Sequence, residues 1–451
     1  MKIQKQVPLT EGPILKSLTG LAVPIMISSF LGTLYNITDM AWIGLLGSKA
    51  VAAVGVGGMY VWLSQGLASL ARMGGQVHVA QCLGRGDKEQ AHRYAKTAVQ
   101  LSILLGLAFA VVSLLFTDPL VAFFKLEGAK TILDAKIYMR ITCGLILFSF
   151  LNLTLTGLYT AQGDSKTPFV ANFIGLLINL LLDPLLILGV GPFPRIEVAG
   201  AAVATVSAQL VVMLVMMVGV FRSKKEENVL KGIRLFEPFS KEELGNICKI
   251  GGPTAIQGMV YCMISMVLTR MVAAFGAEAI ATQRVGGQIE SVSWNTADGF
   301  AAALNAFVGQ NYGAKKMDRV QKGYRISFWT VAIWGALIML AFIIFPGPIA
   351  GVFFHEEKAM EIAISYLIII GFSEAFMCVE LMTIGALSGL GKTKLCSVIS
   401  ITATSMRIPL AMVLSRTSLG LDGIWWALTL TSVAKGIIFY LTFRYQMREK
   451  C

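Results

Sequence analysis

Charge is scarce in this 451-residue chain: Asp, Glu, Lys and Arg together make up 14% of it. An ordinary globular protein carries about 25%, and a soluble fold of this size could not cover its surface with so few. Histidine is scarcer, with three residues (His78, His92, His355) too far apart in sequence to suggest a metal site. The seven cysteines (Cys82, Cys143, Cys248, Cys262, Cys378, Cys396, Cys451) are odd in number and scattered, with no CxxC pair. Neither a disulfide framework nor a zinc site follows from them. No GxxxxGK[ST] segment is present, so no ATP-driven step is indicated. No nucleophile–base pair stands out, so the chain is not read as an enzyme and no cofactor is called for. No cleavable signal peptide is needed either, because the first apolar stretch, Leu18 to Leu34, is too long for an h-region.

What is plentiful is apolar. Residues of the AVILMFWYC set make up 55% of the chain, and 45 glycines come on top. That excludes disorder and points to an integral membrane protein. A spanning helix needs about 20 apolar residues. Charge-free runs of that kind occur at 17–38, 50–71, 97–117, 141–163, 198–221, 250–269 and 326–355. Five more, at 167–190, 279–309, 362–391, 395–415 and 422–443, are interrupted by one or a few charges. Twelve helical spans result. The runs lack the ten-residue alternation of a membrane barrel.

The net charge of +12 would suggest nucleic acid in a soluble protein, but membrane proteins place Lys and Arg in cytoplasmic loops. The termini and even-numbered loops hold 25 of the 38 Lys and Arg, the odd-numbered loops seven, and the spans six. Both termini and the midpoint loop are therefore expected in the cytoplasm, in a multi-pass protein of the plasma membrane, and no nucleic-acid partner is expected.

The two halves repeat. Pro24 in LAVPI is matched by Pro253 in IGGPT, 229 residues on (253 − 24). Gly47 and Gly276, Gln81 and Gln310, and Gly84 and Gly313 keep the same offset, and Gly163 and Gly391 stand 228 apart. Six spans per half give both halves the same orientation. The expected fold is all-α: two six-helix lobes, residues 1–221 and 250–451, joined by a cytoplasmic linker at 222–249. A parallel pseudo-two-fold repeat relates the lobes, as in one recurring transporter architecture, with a cavity between them that opens alternately to each side.

A charge inside a span costs about 2.5–3.5 kcal/mol on insertion scales and needs a reason. The in-span acids are Asp39, Asp183, Glu290, Asp298, Glu374 and Glu380; the in-span bases are Arg72, Arg140, Arg270, Arg284, Arg407 and Lys435. Arg270 and Lys435 are the best candidates for side chains that snorkel from helix ends. Asp39 sits in YNITDMAWIG on span one, and Asn179 and Asp183 are four apart on span five, on one helix face. Pro184 directly after Asp183 is expected to loosen the backbone and free carbonyls, and Thr205 on span six adds a hydroxyl. Two carboxylates, an amide oxygen and a hydroxyl form a hard-oxygen set for a small cation such as Na⁺; alternatively, one carboxyl holds a proton. In the second half Glu374 and Glu380 are six apart and diverge by roughly 120°, and Arg284 and Arg407 are placed to neutralise these acids. Met and Phe are abundant, and Trp62, Phe173, Trp294, Phe300 and Phe307 are candidate cavity walls.

The YNxxDxxxIGxLGxxAxAAVG pattern at Tyr35–Gly55 resembles span one of the multidrug and toxic compound extrusion (MATE) family. INLLLDP, VGQNYGAKK and the 228–229 repeat resemble it too, over essentially the whole chain. The resemblance implies a monomeric twelve-helix antiporter that exports amphipathic, often cationic organic compounds in exchange for H⁺ or Na⁺. It carries the family's first-lobe cation site onto Asp39, Asn179, Asp183 and Thr205, with Tyr138, just before span four, matching a family tyrosine nearby. The first three would hold Na⁺ if sodium is the coupling ion. Tyr35, Asn36, Gln283, Arg284, Glu290, Glu374, Glu380 and Arg407 are the expected substrate-cavity residues, with Glu290 preferred among the acids. The repeat offset puts Leu268 opposite Asp39, so the acid is not duplicated. The rival readings are a lipid-linked saccharide flippase of the same superfamily, which favours a cluster of basic residues for pyrophosphate, and a membrane enzyme acting on lipid.

Overall fold

The computed structural model describes residues 7–189, 194–223, 228–235, 237–238, 240–354 and 356–448; His355 and Cys451 lie outside the described residues. Every regular element among them is a helix. The first half runs α1 (Ile14–Gly44), α2 (Ser48–Arg85), α3 (Lys88–Leu115), a short α4 (Thr117–Ala122), α5 (Ala129–Gly144), α6 (Leu147–Ala161), α7 (Lys166–Ile187) and α8 (Glu197–Arg222). The second half repeats the series: α9 (Lys241–Ala273), α10 (Ala277–Gly313), α11 (Met317–Ile344), a short α12 (Pro346–Gly351), α13 (Glu357–Gly371), α14 (Glu374–Gly389), α15 (Thr393–Ser405), α16 (Arg407–Leu414) and α17 (Leu421–Arg448). Even the six-residue pieces correspond, α12 beginning 229 residues after α4 (346 − 117). The protein is an all-α integral membrane protein of two repeated six-helix lobes.

Nine spans among the described residues are long and apolar enough to cross a bilayer, α15 and α16 counting together as one. Two bent pairs, α5/α6 at 43° and α13/α14 at 50°, make one span each. The twelfth is α10, whose 37 residues reach about 55 Å at 1.5 Å per residue but which is too polar to qualify by hydropathy. Both bends follow a glycine, Gly144 and Gly371, a common place for a kink. The α15/α16 break has a chemical cause: Pro409 lacks the N–H that Ser405 would accept and crowds its carbonyl.

The structure moves two sequence expectations. Span four does not begin at 141 but at Ala129, so Tyr138 lies inside α5 rather than before the span. The charges that resemble a loop here are paired at the helix end, Lys130 with Glu197 and Lys136 with Asp118, each at 2.8 Å. Pro184 does not open α7 either. The helix runs on to Ile187, and only the Leu180 carbonyl, four residues before the proline, loses its donor.

Turn chemistry fixes the ends. Asp87 caps α3 by accepting from the Gln90 amide, and Asp164 accepts from the amides of Lys166 and Thr167 at the start of α7. The three-residue connections before α2 and α10 close on Gly47 (φ +103°) and Gly276 (φ +111°), backbone that a side chain strains.

Packing divides the chain into two compact units. The first holds Ile27–Gly258 with Val7; the second holds Pro8–Met26 with Met259 onward. Unit 1 therefore contains the polar midpoint segment and the opening turns of α9, strapped down by His92 to the Val229 carbonyl (2.7 Å) and Gln100 to the Leu235 and Glu237 carbonyls. Unit 2 contains the N-terminal segment and the opening turns of α1. There Asn311 donates to the Leu9 carbonyl (2.9 Å) and Arg319 to those of Glu11 and Gly12. These units cut the chain elsewhere than the halves 1–221 and 250–451.

Candidate functional site

In unit 1, α7 and α8 pack closely because small residues face their partners. A Cβ on Gly175 would run into Val212, and one on Gly200 into the Leu186 carbonyl. That approach holds α7, which carries Asn179 and Asp183, against α8, which carries Thr205. Asn179 donates from Nδ2 to Asp183 Oδ1 at 3.2 Å, on one helix face as the spacing of four requires. Tyr35, one turn before Asp39 on α1, donates its hydroxyl to Thr205 Oγ1 at 2.9 Å. Asp39 lies within electrostatic reach of Asp183, and Tyr138 within reach of both carboxyls and beside Thr205. Asp39, Asn179, Asp183 and Tyr138 are all buried.

Five sequence-nominated residues thus come together, and Tyr35, expected in a substrate cavity, belongs with them. Asn36, the next residue, is exposed. The cluster holds two buried oxygens, Asp39 Oδ1 and Asp183 Oδ2, with no hydrogen-bond partner among the described residues. A buried acceptor left without a partner costs about 1–3 kcal/mol, so each of these two oxygens is costly to leave bare. The Asn179 amide gives its N–H to Asp183.

Unit 2 is not a copy. Leu268 stands where the repeat places Asp39 and is buried among Ile264, Val272, Ala411 and Ile424. Ala411 takes the place of Asp183, and Arg407 that of Asn179 (179 + 228). One device is duplicated. Tyr138 packs on Gly57, and Tyr366, 228 residues later, packs on Gly286, each glycine leaving room that a Cβ would fill with the ring. Tyr366 donates its hydroxyl to Glu290 and lies within electrostatic reach of Glu374, whose two carboxylate oxygens are buried without a hydrogen-bond partner among the described residues. Tyr366 was not nominated from the sequence, although the repeat offset applied to Tyr138 points to it.

The bases of unit 2 depart from expectation. Lys435 does not snorkel: it pairs with Glu380 at 2.8 Å, and both side chains are 6% exposed. It sits mid-helix in α17, where its stem cannot reach water. Arg407 spends its donors on Thr431 (3.0 Å) and Ser432 (2.9 Å), with Glu290 in electrostatic reach rather than in contact. Arg284 is exposed and forms no ion pair among the described residues, so it neutralises none of the acids. The side-chain carbonyl of Gln283 is buried and unpartnered among the described residues. Glu374 and Glu380 diverge as their spacing requires, one toward Tyr366 and the other toward Lys435. Of the candidate wall aromatics, Trp62, Phe173 and Trp294 are exposed, whereas Phe300 and Phe307 are core, the latter under the Arg319 guanidinium.

Repeated helical lobes that each bury charge within the membrane define a multi-pass transporter. Comparison supplies the family. The MatE family model matches residues 24–185 and 253–413, twice in one chain and starting at the two repeat-related prolines. The chain belongs to the multidrug and toxic compound extrusion (MATE) family, which is a family of transporters and not of enzymes. A probable multidrug resistance protein NorM of Thermotoga maritima is 28% identical, over 98% of this chain and 95% of the relative. An FAD transporter of Shewanella oneidensis is 26% identical over 96% and 95%. Among solved structures, an outward-facing multidrug resistance MATE family transporter superposes with a TM-score of 0.91 at 24% identity, covering 100% of this chain and 99% of that one.

Proposed function

We propose that the protein is a secondary active antiporter of the plasma membrane, exporting amphipathic, often cationic organic compounds by alternating access in exchange for H⁺ or Na⁺, with both termini cytoplasmic. The observation that carries this reading is the buried pair Asp39 and Asp183, two carboxyls with an unpartnered oxygen each, ringed by Asn179, Thr205, Tyr35 and Tyr138. If Na⁺ is the ion, Asp39, Asn179 and Asp183 hold it; if H⁺, one of the two carboxyls does. The names of relatives that export drugs support the substrate class.

An ion drives transport only through its different affinity for the two conformations. The site must therefore hold its ion tightly in one state and loosely in the other. One charge moving down 100 mV supplies about 2.3 kcal/mol, worth roughly a fiftyfold gradient of a neutral substrate. For a monovalent cationic substrate exchanged against one ion the electrical parts cancel and the ion's concentration gradient remains. In unit 2 the acids Glu290, Glu374 and Glu380 face the cations Arg407 and Lys435, an excess of one carboxyl. Glu290 and Glu374 are the proposed contacts for a cationic substrate. The flippase reading gains nothing here, since Lys435 and Arg407 are already engaged. Drug accumulation in cells expressing Asp39→Asn tests the proposal: loss of efflux at normal expression supports it, and unchanged efflux rejects it.

A further inference from the structure

The cation site leaves one built feature of unit 2 unexplained. A groove of about 710 Å³ lies between the opening turns of α11 and the closing turns of α17. Its rim carries Lys322 and Arg325 from α11 and Arg444 and Arg448 from α17, against the single acid Asp318. All four bases are exposed, and none forms an ion pair among the described residues. The floor is aromatic: Tyr324 stacks on Phe443 with ring centres 3.6 Å apart, and Phe328 lies 5.1 Å from Tyr440, over which the Arg444 guanidinium sits at 5.8 Å.

The chain on either side of this groove grades from charge to hydrocarbon. On α11, Lys322, Arg325, Trp329, Ile333, Leu337, Leu340 and Ile344 follow at spacings of three and four and so share one face. Every one is exposed, Trp329 at 60%. On α17, read from its end, Arg448, Arg444, Leu441 and Ile437 are exposed in the same order. Two cations, an interfacial tryptophan and an aliphatic strip match in sequence a phosphate, a glycerol region and acyl chains. A free anion would explain the arginines but not the strip, and a bare lipid-facing helix would explain the strip but not four unpaired cations converging on one groove.

We propose that the α11/α17 groove binds the head group of an anionic phospholipid, its phosphate held by Arg325 and Arg444 and its acyl chains lying along the exposed face of α11. The site is separate from the Asp39 cluster and does not depend on which ion or drug is carried.

Trp329 reports occupancy. Full-length protein is reconstituted in phosphatidylcholine bilayers containing an increasing mole fraction of either phosphatidylglycerol or phosphatidylcholine brominated close to the head group. The Trp329 signal is taken as the difference from Trp329→Phe. Brominated phosphatidylglycerol is expected to quench that signal at far lower mole fraction than brominated phosphatidylcholine. Each basic residue near an anionic lipid is worth about fivefold in preference, so Arg325→Gln with Arg444→Gln should erase roughly 25-fold. Quenching by brominated phosphatidylcholine is retained in that variant if it is folded and embedded. Equal quenching by the two lipids in the wild-type protein overturns the proposal, as does a phosphatidylglycerol preference untouched by the double substitution. Relief of quenching by millimolar inorganic phosphate also overturns it, by showing that the groove reads a free anion.

Discussion

Removing Lys435 should damage the protein far more than removing the pair it belongs to. The ammonium lies 2.8 Å from Glu380 Oε1 with both side chains 6% exposed, so water screens almost nothing. Lys435→Met leaves a buried carboxylate with no counter-charge, and breaking one partner of such a pair costs about 3–5 kcal/mol. The loss is therefore expected at about 3–5 kcal/mol. Glu380→Leu combined with Lys435→Met removes both charges together and should return most of the stability. Thermal midpoints of detergent-solubilised protein at pH 7, followed by fluorescence-detected gel filtration, complete the double-mutant cycle. A Lys435→Met protein that melts with the wild type at pH 7, or a double variant as labile as the single one, refutes the reasoning.

Other outcomes follow from the same packing. Gly57→Ala drives a Cβ into the Tyr138 ring and should cost about 1–3 kcal/mol as overpacking, whereas Gly58→Ala meets nothing within 4 Å and should melt with or above the wild type. Asn179→Ala strips the hydrogen bond that Asp183 Oδ1 accepts from the amide; a loss of about 1–3 kcal/mol is expected in the same melting assay, with transport lost as well. At the water-exposed linker, the hydrogen bond from Lys96 holds the Glu237 carboxyl below its ordinary range. The sign follows: this tie is fully present above the usual glutamate pKa and is lost as pH falls through the lowered value. Limited proteolysis of the linker should therefore accelerate only well below pH 5, and Lys96→Met should remove that pH step.

Much of the architecture is written in composition and spacing. The twelve apolar runs and the 229-residue offset anticipate two six-helix lobes, because a bilayer demands long apolar helices and a duplicated gene keeps its turn glycines. The first-lobe cluster was equally legible: Asp39 interrupts an apolar run, and four residues between Asn179 and Asp183 leave one helical face for both. Where reading failed, the missing information was tertiary. Lys130, Asp134, Lys136 and Arg140 resemble a loop until Glu197 and Asp118 arrive to pair with the lysines. Lys435 resembles a snorkelling end residue until α14 brings Glu380 to it. Pro184 reads as a break, but a proline in a last turn has little helix left to open. Tyr366 was within reach of sequence alone, through the repeat that already relates it to Tyr138.

The central claim is that the Asp39 and Asp183 carboxyls exchange a small cation as the transporter changes conformation. Substrate efflux from proteoliposomes, with a pH gradient or a Na⁺ gradient imposed separately, tests it most directly when the wild type is run beside Asp39→Asn and Asp183→Asn. The account predicts that one of the two gradients drives efflux in the wild type and neither does in the variants. Gradient-driven efflux that survives both substitutions would contradict it.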